Sequence, residues 1–504
     1  MNHHKGDMTI NSPKICYEIF VRSFCDSNND GIGDIQGITS KLDYLQDLGI
    51  EAIWLTPIHP SPSYHKYDVI DYYAVDPEFG SLDDLRTLIR EAHRRHIAVI
   101  LDLIINHTST LHPWFLEAQK SSDNPFREYY WWKNDQEIEA LGIATRDISD
   151  DSQEVSPWHE IPNDPQKYYG LFYKGMPDLN FHSQKLRHEF VGIMKFWLTD
   201  IGVDGFRIDA ARHIFPTWES AHNRAFWFFF KETVESLKPT AFTVGEIWAG
   251  ASEIAPYYKG LHATFNFDLS FAIQELLITE NDPGLINTLL KTHALYEQTN
   301  TGYIDAIMLT NHDQERIASV VGGDTKKIKL AACILLTLPG QPYLYYGEEI
   351  GMLGTKPDPE IREPFIWSNN PADPAVPRWS EIKHNGPAST KALSEQIVDP
   401  KSVYSHYKEL IALRRSLTTL GQTTARDLES VNLKNDSLLA FSRGPVSDRL
   451  LIIHNLSGKA ISTRLPLQYS VREVVWSHQA YWNSTAKRVQ LRPYGSLIVL
   501  CNPK

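Results

Sequence analysis

Eight short apolar runs with strand-forming character constrain this chain most. They span 15–24, 52–60, 97–107, 204–211, 243–248, 263–269, 304–313 and 341–351. Amphipathic stretches of helical period lie between several of them, at 81–93, 185–200, 217–238 and 324–338. Parallel strands cannot be joined by tight turns and need crossover connections, which helices supply. Eight β units with intervening helices therefore predict an α/β fold, a (β/α)₈ TIM barrel. At 504 residues the chain has room for that barrel and one or two smaller units.

The spacing is uneven in one place. Between the third and fourth runs, residues 108–175 are irregular and rich in aromatics, including Trp114, Tyr129, Tyr130, Trp131, Trp132, Trp158, Tyr168 and Tyr169. A connection that long is functional or a small domain of its own, so an inserted domain over the C-terminal face of the barrel is expected. After about residue 419 the texture changes to short alternating runs at 437–442, 450–455, 472–476 and 496–501. These predict a C-terminal antiparallel β-sandwich. The barrel is then expected to comprise 1–107 and 176–418.

The net charge of −13 repels phosphate and disfavours nucleic acid or an anionic membrane surface as partner. No run reaches the length of a membrane span. Four scattered cysteines, Cys16, Cys25, Cys333 and Cys501, show neither disulfide nor zinc spacing and are expected as buried thiols. The first ten residues are polar and lack the apolar centre of a signal peptide. A cytoplasmic monomer is expected, the alternative being an exported protein whose leader has been removed.

A barrel enzyme builds its site from residues at the C-terminal ends of its strands. Here the third run ends with Asp102, Asn106 and His107. The fourth carries Arg207, Asp209, Ala210, Arg212 and His213; the fifth ends with Glu246 and Trp248; the seventh ends with Asn311, His312 and Asp313. Any one of these has a plainer reading as a helix cap or a satisfied core residue. Converging on one rim, they form the set that glycoside hydrolysis requires. One carboxylate meets the oxocarbenium-like carbon and one carboxylic acid protonates the leaving oxygen. Arg207 and Asp209 alternate along a strand and share a face, so the guanidinium is expected to aim Asp209 and hold it ionised. Glu246, beside Ile247 and Trp248, is expected to be raised in pKa by desolvation.

The segments 102–107, 205–213, 245–248 and 311–313 resemble the four signature regions of the α-amylase family, glycoside hydrolase family 13, and the likeness covers the whole chain. It implies Asp209 as nucleophile, Glu246 as general acid/base and Asp313 as transition-state stabiliser. It also implies that Arg207, His107 and His312 hold the sugar at the cleavage subsite, joined by Tyr67, Asp68 and Arg362. Lys66 stands where the family often has Gly. Met176, Asp178 and Asn180 look intermediate between oligo-1,6-glucosidases and neopullulanases. Ala210, where relatives that cut α-1,6 bonds more often carry Val, and the pair Arg212 and His213, similar to a Lys-His pair on the leaving-group side, favour α-1,4 bonds in maltooligosaccharides or starch. The alternatives are an α-glucosidase or oligo-1,6-glucosidase, and a transglycosylating glucanotransferase. A nonenzymatic carbohydrate-binding or transporter-associated protein is the rival of another class, and the three intact carboxylates speak against it.

Residues 26–34 place oxygen donors at alternate positions with Gly31 at the turn, as at the start of an EF-hand loop. Gly37 occupies the position of the bidentate Glu. The segment resembles a calcium loop of oligo-1,6-glucosidase-like relatives, with Asp26, Asn28, Asp30, Asp34 and the Ile32 carbonyl as ligands to a structural calcium, or magnesium in its place. A second calcium, common among α-amylases, would use Asn106, the His213 carbonyl and an aspartate of the inserted domain that the sequence does not single out.

Overall fold

In the computed structural model, residues 15–142, 156–370 and 372–502 are described. The polar first ten residues, on which the expectation about export rests, lie outside them. Eight parallel strands close into a barrel: Cys16–Ile19, Ala52–Leu55, Ala98–Leu103, Gly205–Ile208, Phe242–Gly245, Ala263–Phe265, Ile304–Met308 and Gln341–Tyr345. Each strand neighbours the next in sequence, and the eighth pairs with the first. Its interior is packed with Trp54, Ile100, Phe242, Val244, Phe265, Met308 and Tyr343, as expected of a filled rather than hollow barrel.

Every strand is shorter than its apolar run because the chain stays buried after leaving the ladder. Ile104 and Ile105, for example, are fully buried beyond the end of strand three. The helix after strand two, Leu82–Arg94, starts at a capping box in which Ser81 and Asp84 satisfy each other's backbone N–H groups. Two of the expected helices are compound. Gln184–Lys195 continues into a wider π-helical turn, Phe196–Ile201, and a 3₁₀ turn, Thr217–His222, precedes Asn223–Leu237.

Between strands three and four, Trp132–Lys133, Lys167–Tyr169 and Trp158–His159 form a small antiparallel sheet. Its aromatics serve mainly as core: Tyr129, Tyr130, Tyr168 and Tyr169 are buried, and Phe115 packs against Tyr130, Trp132 and Tyr168. After the barrel, six antiparallel strands form one hydrogen-bonded sheet around the long strand Arg488–Cys501. Arg443 on this sheet donates to the Thr337 carbonyl of a barrel helix at 2.7 Å. All four cysteines are free and buried. Among the described residues, no helix is long and apolar enough to cross a membrane.

Candidate active site

Strand register brings the carboxylates together. Asp102 on strand three pairs directly with Arg207 on strand four, and Ile208 pairs with Gly245 on strand five. One residue further on, Asp209 and Glu246 stand at neighbouring strand ends, and strands in a sheet lie about 4.8 Å apart. Arg207 grips all three acids. Its Nη1 lies 2.8 Å from Asp102 Oδ1 and 2.8 Å from Asp209 Oδ1, and its Nη2 lies 2.7 Å from Glu246 Oε2. The guanidinium also lies over the Trp54 and Tyr67 rings.

Burial and charge act against each other here. Burial pushes Asp209 up to about 6 against the opposing pull of Arg207. The expected aiming by the guanidinium is therefore present, while desolvation outweighs its charge; a carboxyl near 6 is still mostly ionised at neutral pH. Glu246 is raised by burial, opposed by Arg207 and reinforced by the negative charges of Asp209 and Asp313. Its Oε1 accepts from the Trp248 indole N–H at 3.1 Å and its Oε2 from the Ala210 backbone N–H at 3.2 Å. Ala210 itself takes a left-handed conformation, φ 46°, in which a β-branched residue is strongly disfavoured.

Asp313 follows strand seven. Burial acts to raise it, but His312 and Arg362 prevail and bring it down to about 2. Arg362 Nη2 lies 2.7 Å from Asp313 Oδ1, and His312 Nε2 lies 3.1 Å from Oδ2. His312 is in turn raised: burial opposes protonation, and Asp313 and Glu18 overcome it. Glu18 Oε1 sits 2.5 Å from His312 Nδ1. The Tyr67 ring stacks on His312 at 5.7 Å, with its hydroxyl 2.7 Å from Nε2. His107 is buried and lowered to about 4 by desolvation; its Nε2 meets the Tyr67 carbonyl at 3.2 Å. Asp68 accepts from Ser61, Ser63 and Tyr173, the last at 3.3 Å. Tyr173 and Phe172, which packs edge-on to His107, bring the returning end of the insert to the same rim.

Lys66 adopts φ 66°, the conformation glycine favours. Its ammonium lies 2.7 Å from both Asp76 and Glu78, so the buried side chain is neutralised inside the loop.

His213 packs edge-on to Phe172 at 6.0 Å. Arg212 donates to the Trp248 carbonyl at 3.0 Å and pairs with Glu253 at 2.8 Å. The His213 carbonyl accepts from the Asn106 amide at 2.5 Å, so the two groups assigned to a second calcium are bonded directly to each other. Met176 is buried, and Asp178 forms a backbone bridge with His107; this segment straps the insert to the end of strand three. Two contributors were absent from the sequence reading, Glu18 and Tyr64, which accepts from Arg362 at 2.9 Å; Asp102 was read only as part of a strand end and Trp248 only as an apolar neighbour of Glu246. Asp102 and Glu18 each carried one signal, a charge inside an apolar strand run.

In the 26–34 loop, Gly31 makes the turn at φ 92°. A side chain at Gly37 would place its Cβ 2.0 Å from the Cys25 carbonyl, which excludes the Glu of a full EF-hand. Asp26, Asn28, Asp30 and Asp34 all accept N–H groups from within the loop or the helix it starts. Among the described residues, ligand atoms of the three carboxylates do not all lie within 4.8 Å of one another. The donors are all hard oxygens, which fits calcium or magnesium in kind.

Residues 18–423 match the family described as alpha amylase, catalytic domain, and residues 438–498 match the alpha-amylase SusG C-terminal domain. Alpha-amylase 3 of Dictyoglomus thermophilum is 39% identical, over 96% of this chain and 92% of that protein. A 4-alpha-glucanotransferase of Thermotoga maritima is 34% identical, over 89% and 96%. The crystal structure of an α-amylase from H. orenii superposes with a TM-score of 0.87 at 37% identity, covering 97% of this chain and 99% of that one. Paired acids at the rim of a filled β/α barrel define a glycoside hydrolase. This chain belongs to the α-amylase family, glycoside hydrolase family 13, and is an α-glucan-active enzyme.

Proposed function

We propose that the protein is a retaining hydrolase of α-1,4-glucosidic bonds in maltooligosaccharides and starch. The observation that carries this reading is the placement of Asp209 and Glu246 at adjacent strand ends within one guanidinium fork. Such an arrangement favours the short carboxyl separation of retaining enzymes, about 5–5.5 Å, over the about 6.5–9.5 Å that an inverting pair needs.

In this reading Asp209, largely ionised at neutral pH, attacks the anomeric carbon while Glu246 gives its proton to the departing glucosidic oxygen. The carbon–oxygen bond to the leaving chain breaks as the bond to Asp209 forms. Asp209 then no longer carries the charge that helps keep Glu246 protonated, so Glu246 becomes a better base. It takes a proton from water as the water oxygen bonds to the anomeric carbon from the face the leaving chain vacated, opposite Asp209, and the bond to Asp209 breaks. Asp313, held ionised by His312 and Arg362, offers a fixed negative charge to the cationic transition state.

The product profile from maltoheptaose tests the specificity. Mixed short maltooligosaccharides, released as α-anomers, are expected from the first time points. Glucose as sole early product contradicts an α-amylase and points to an α-glucosidase. The resemblance to a 4-alpha-glucanotransferase supports a second reading, and products longer than maltoheptaose are its signature.

We also propose that the 26–34 loop holds a structural calcium through Asp26, Asn28, Asp30, Asp34 and the Ile32 carbonyl. The five oxygen donors and the Gly31 turn support this. Chelation is then expected to lower the Tm by a few degrees, reversibly on adding calcium; an unchanged Tm contradicts it.

A further inference from the structure

The 3₁₀ turn Thr217–His222 follows strand four and carries Glu219 and His222 three residues apart, a spacing that eclipses side chains on such a turn. His182, at the junction where the insert rejoins the barrel, faces them. His182 Nε2 lies 3.6 Å and His222 Nε2 lies 3.3 Å from the same Glu219 oxygen. One ligand atom from each of the three residues falls within 4.8 Å of the others, and no other set of three or more His, Cys, Asp or Glu does so among the described residues.

These separations are long for hydrogen bonds. They suit the edge of a tetrahedron whose corners lie about 2.0–2.1 Å from a central ion, an edge of about 3.3–3.4 Å. Two imidazoles and one carboxylate are borderline ligands that select zinc over calcium. All three residues reach solvent, which gives an ion a path in and leaves a corner for water. Phe215 packs on both imidazoles and Trp131 on His182, fixing the ring planes. Trp218, on the same turn as Glu219 and His222, stacks on Trp158 of the insert at 5.7 Å.

We propose that His182, Glu219 and His222 bind one zinc ion and clip the insert's return to the loop after strand four. The ion would join the insert's return to the turn after strand four, a structural role.

The test is calorimetric titration of zinc into the metal-stripped full chain, with calcium held in fixed excess. One equivalent is expected to bind at this site, and saturating zinc is expected to raise the Tm by about 2–4 °C. E219Q, which removes the one anionic ligand, is expected to weaken zinc binding by more than the about 10–100-fold typical of losing an outer-shell partner. The pair H182A/H222A is expected to remove this equivalent and its Tm increment. Metal-free Tm and activity of each variant, close to those of the parent, show that it is folded. Zinc bound equally well by parent and double variant, or an unchanged Tm in saturating zinc, overturns the proposal.

Discussion

Glu246→Gln is expected to lower kcat on maltooligosaccharides by about 10²–10⁴-fold, the usual contribution of a positioned general acid. The amide would match the shape of the acid and could still accept from the Trp248 indole, but it has no proton to give the leaving oxygen. The loss should depend on the leaving group. An α-glycosyl fluoride departs without protonation, so its first step is expected to survive, and the glycosyl-enzyme should then accumulate because water has lost its base. Azide, a nucleophile that needs no base, is expected to restore turnover and yield the α-glycosyl azide. Equal losses in the first step, read as kcat/KM, on natural and activated substrates would place Glu246 outside proton transfer.

Arg207→Met is expected to be the most damaging substitution in the barrel. The side chain is almost fully buried and pairs with Asp102, Asp209 and Glu246. Removing it leaves three acids in one dry space without their cation, a change that costs about 3–5 kcal/mol when a buried pair is broken. The acids would respond by binding protons. Asp209, already raised to about 6 by burial with Arg207 opposing, is then expected to rise further and to be neutral, hence non-nucleophilic, at pH 7. The acid limb of the kcat/KM profile should move to higher pH while the denaturation midpoint falls. Arg207→Lys is expected to rescue little, since a single ammonium cannot reproduce the fork between Asp209 and Glu246. Parental stability and an unmoved acid limb in Arg207→Met would contradict this electrostatic account.

The barrel was legible in sequence because each buried strand must be apolar on both faces, and such runs are conspicuous. Their ends were not, because loops such as the one through Ile104 and Ile105 remain buried after the ladder stops. Asp209, Glu246 and Asp313 could be read because each sits at a strand end in a charged motif. Glu18 could not: it lies on strand one, and its partner His312 is close only through closure of the barrel. Tyr64 reaches the site by the same kind of long-range approach, through Arg362. The sequence showed the aromatic wealth of the insert but not its use; Tyr129, Tyr130, Tyr168 and Tyr169 are core. Lys66 shows the limit of reading a loop from residue type, because its strained φ is sustained by two carboxylates distant enough in sequence to be missed.

The central claim is that Asp209 bonds covalently to the sugar. Mass spectrometry of Glu246→Gln quenched during turnover of an α-glycosyl fluoride tests it most directly. A glycosyl adduct on the Asp209 side chain is the predicted result. Fluoride release with no adduct at any time point, or an adduct on Asp313 instead, would contradict it.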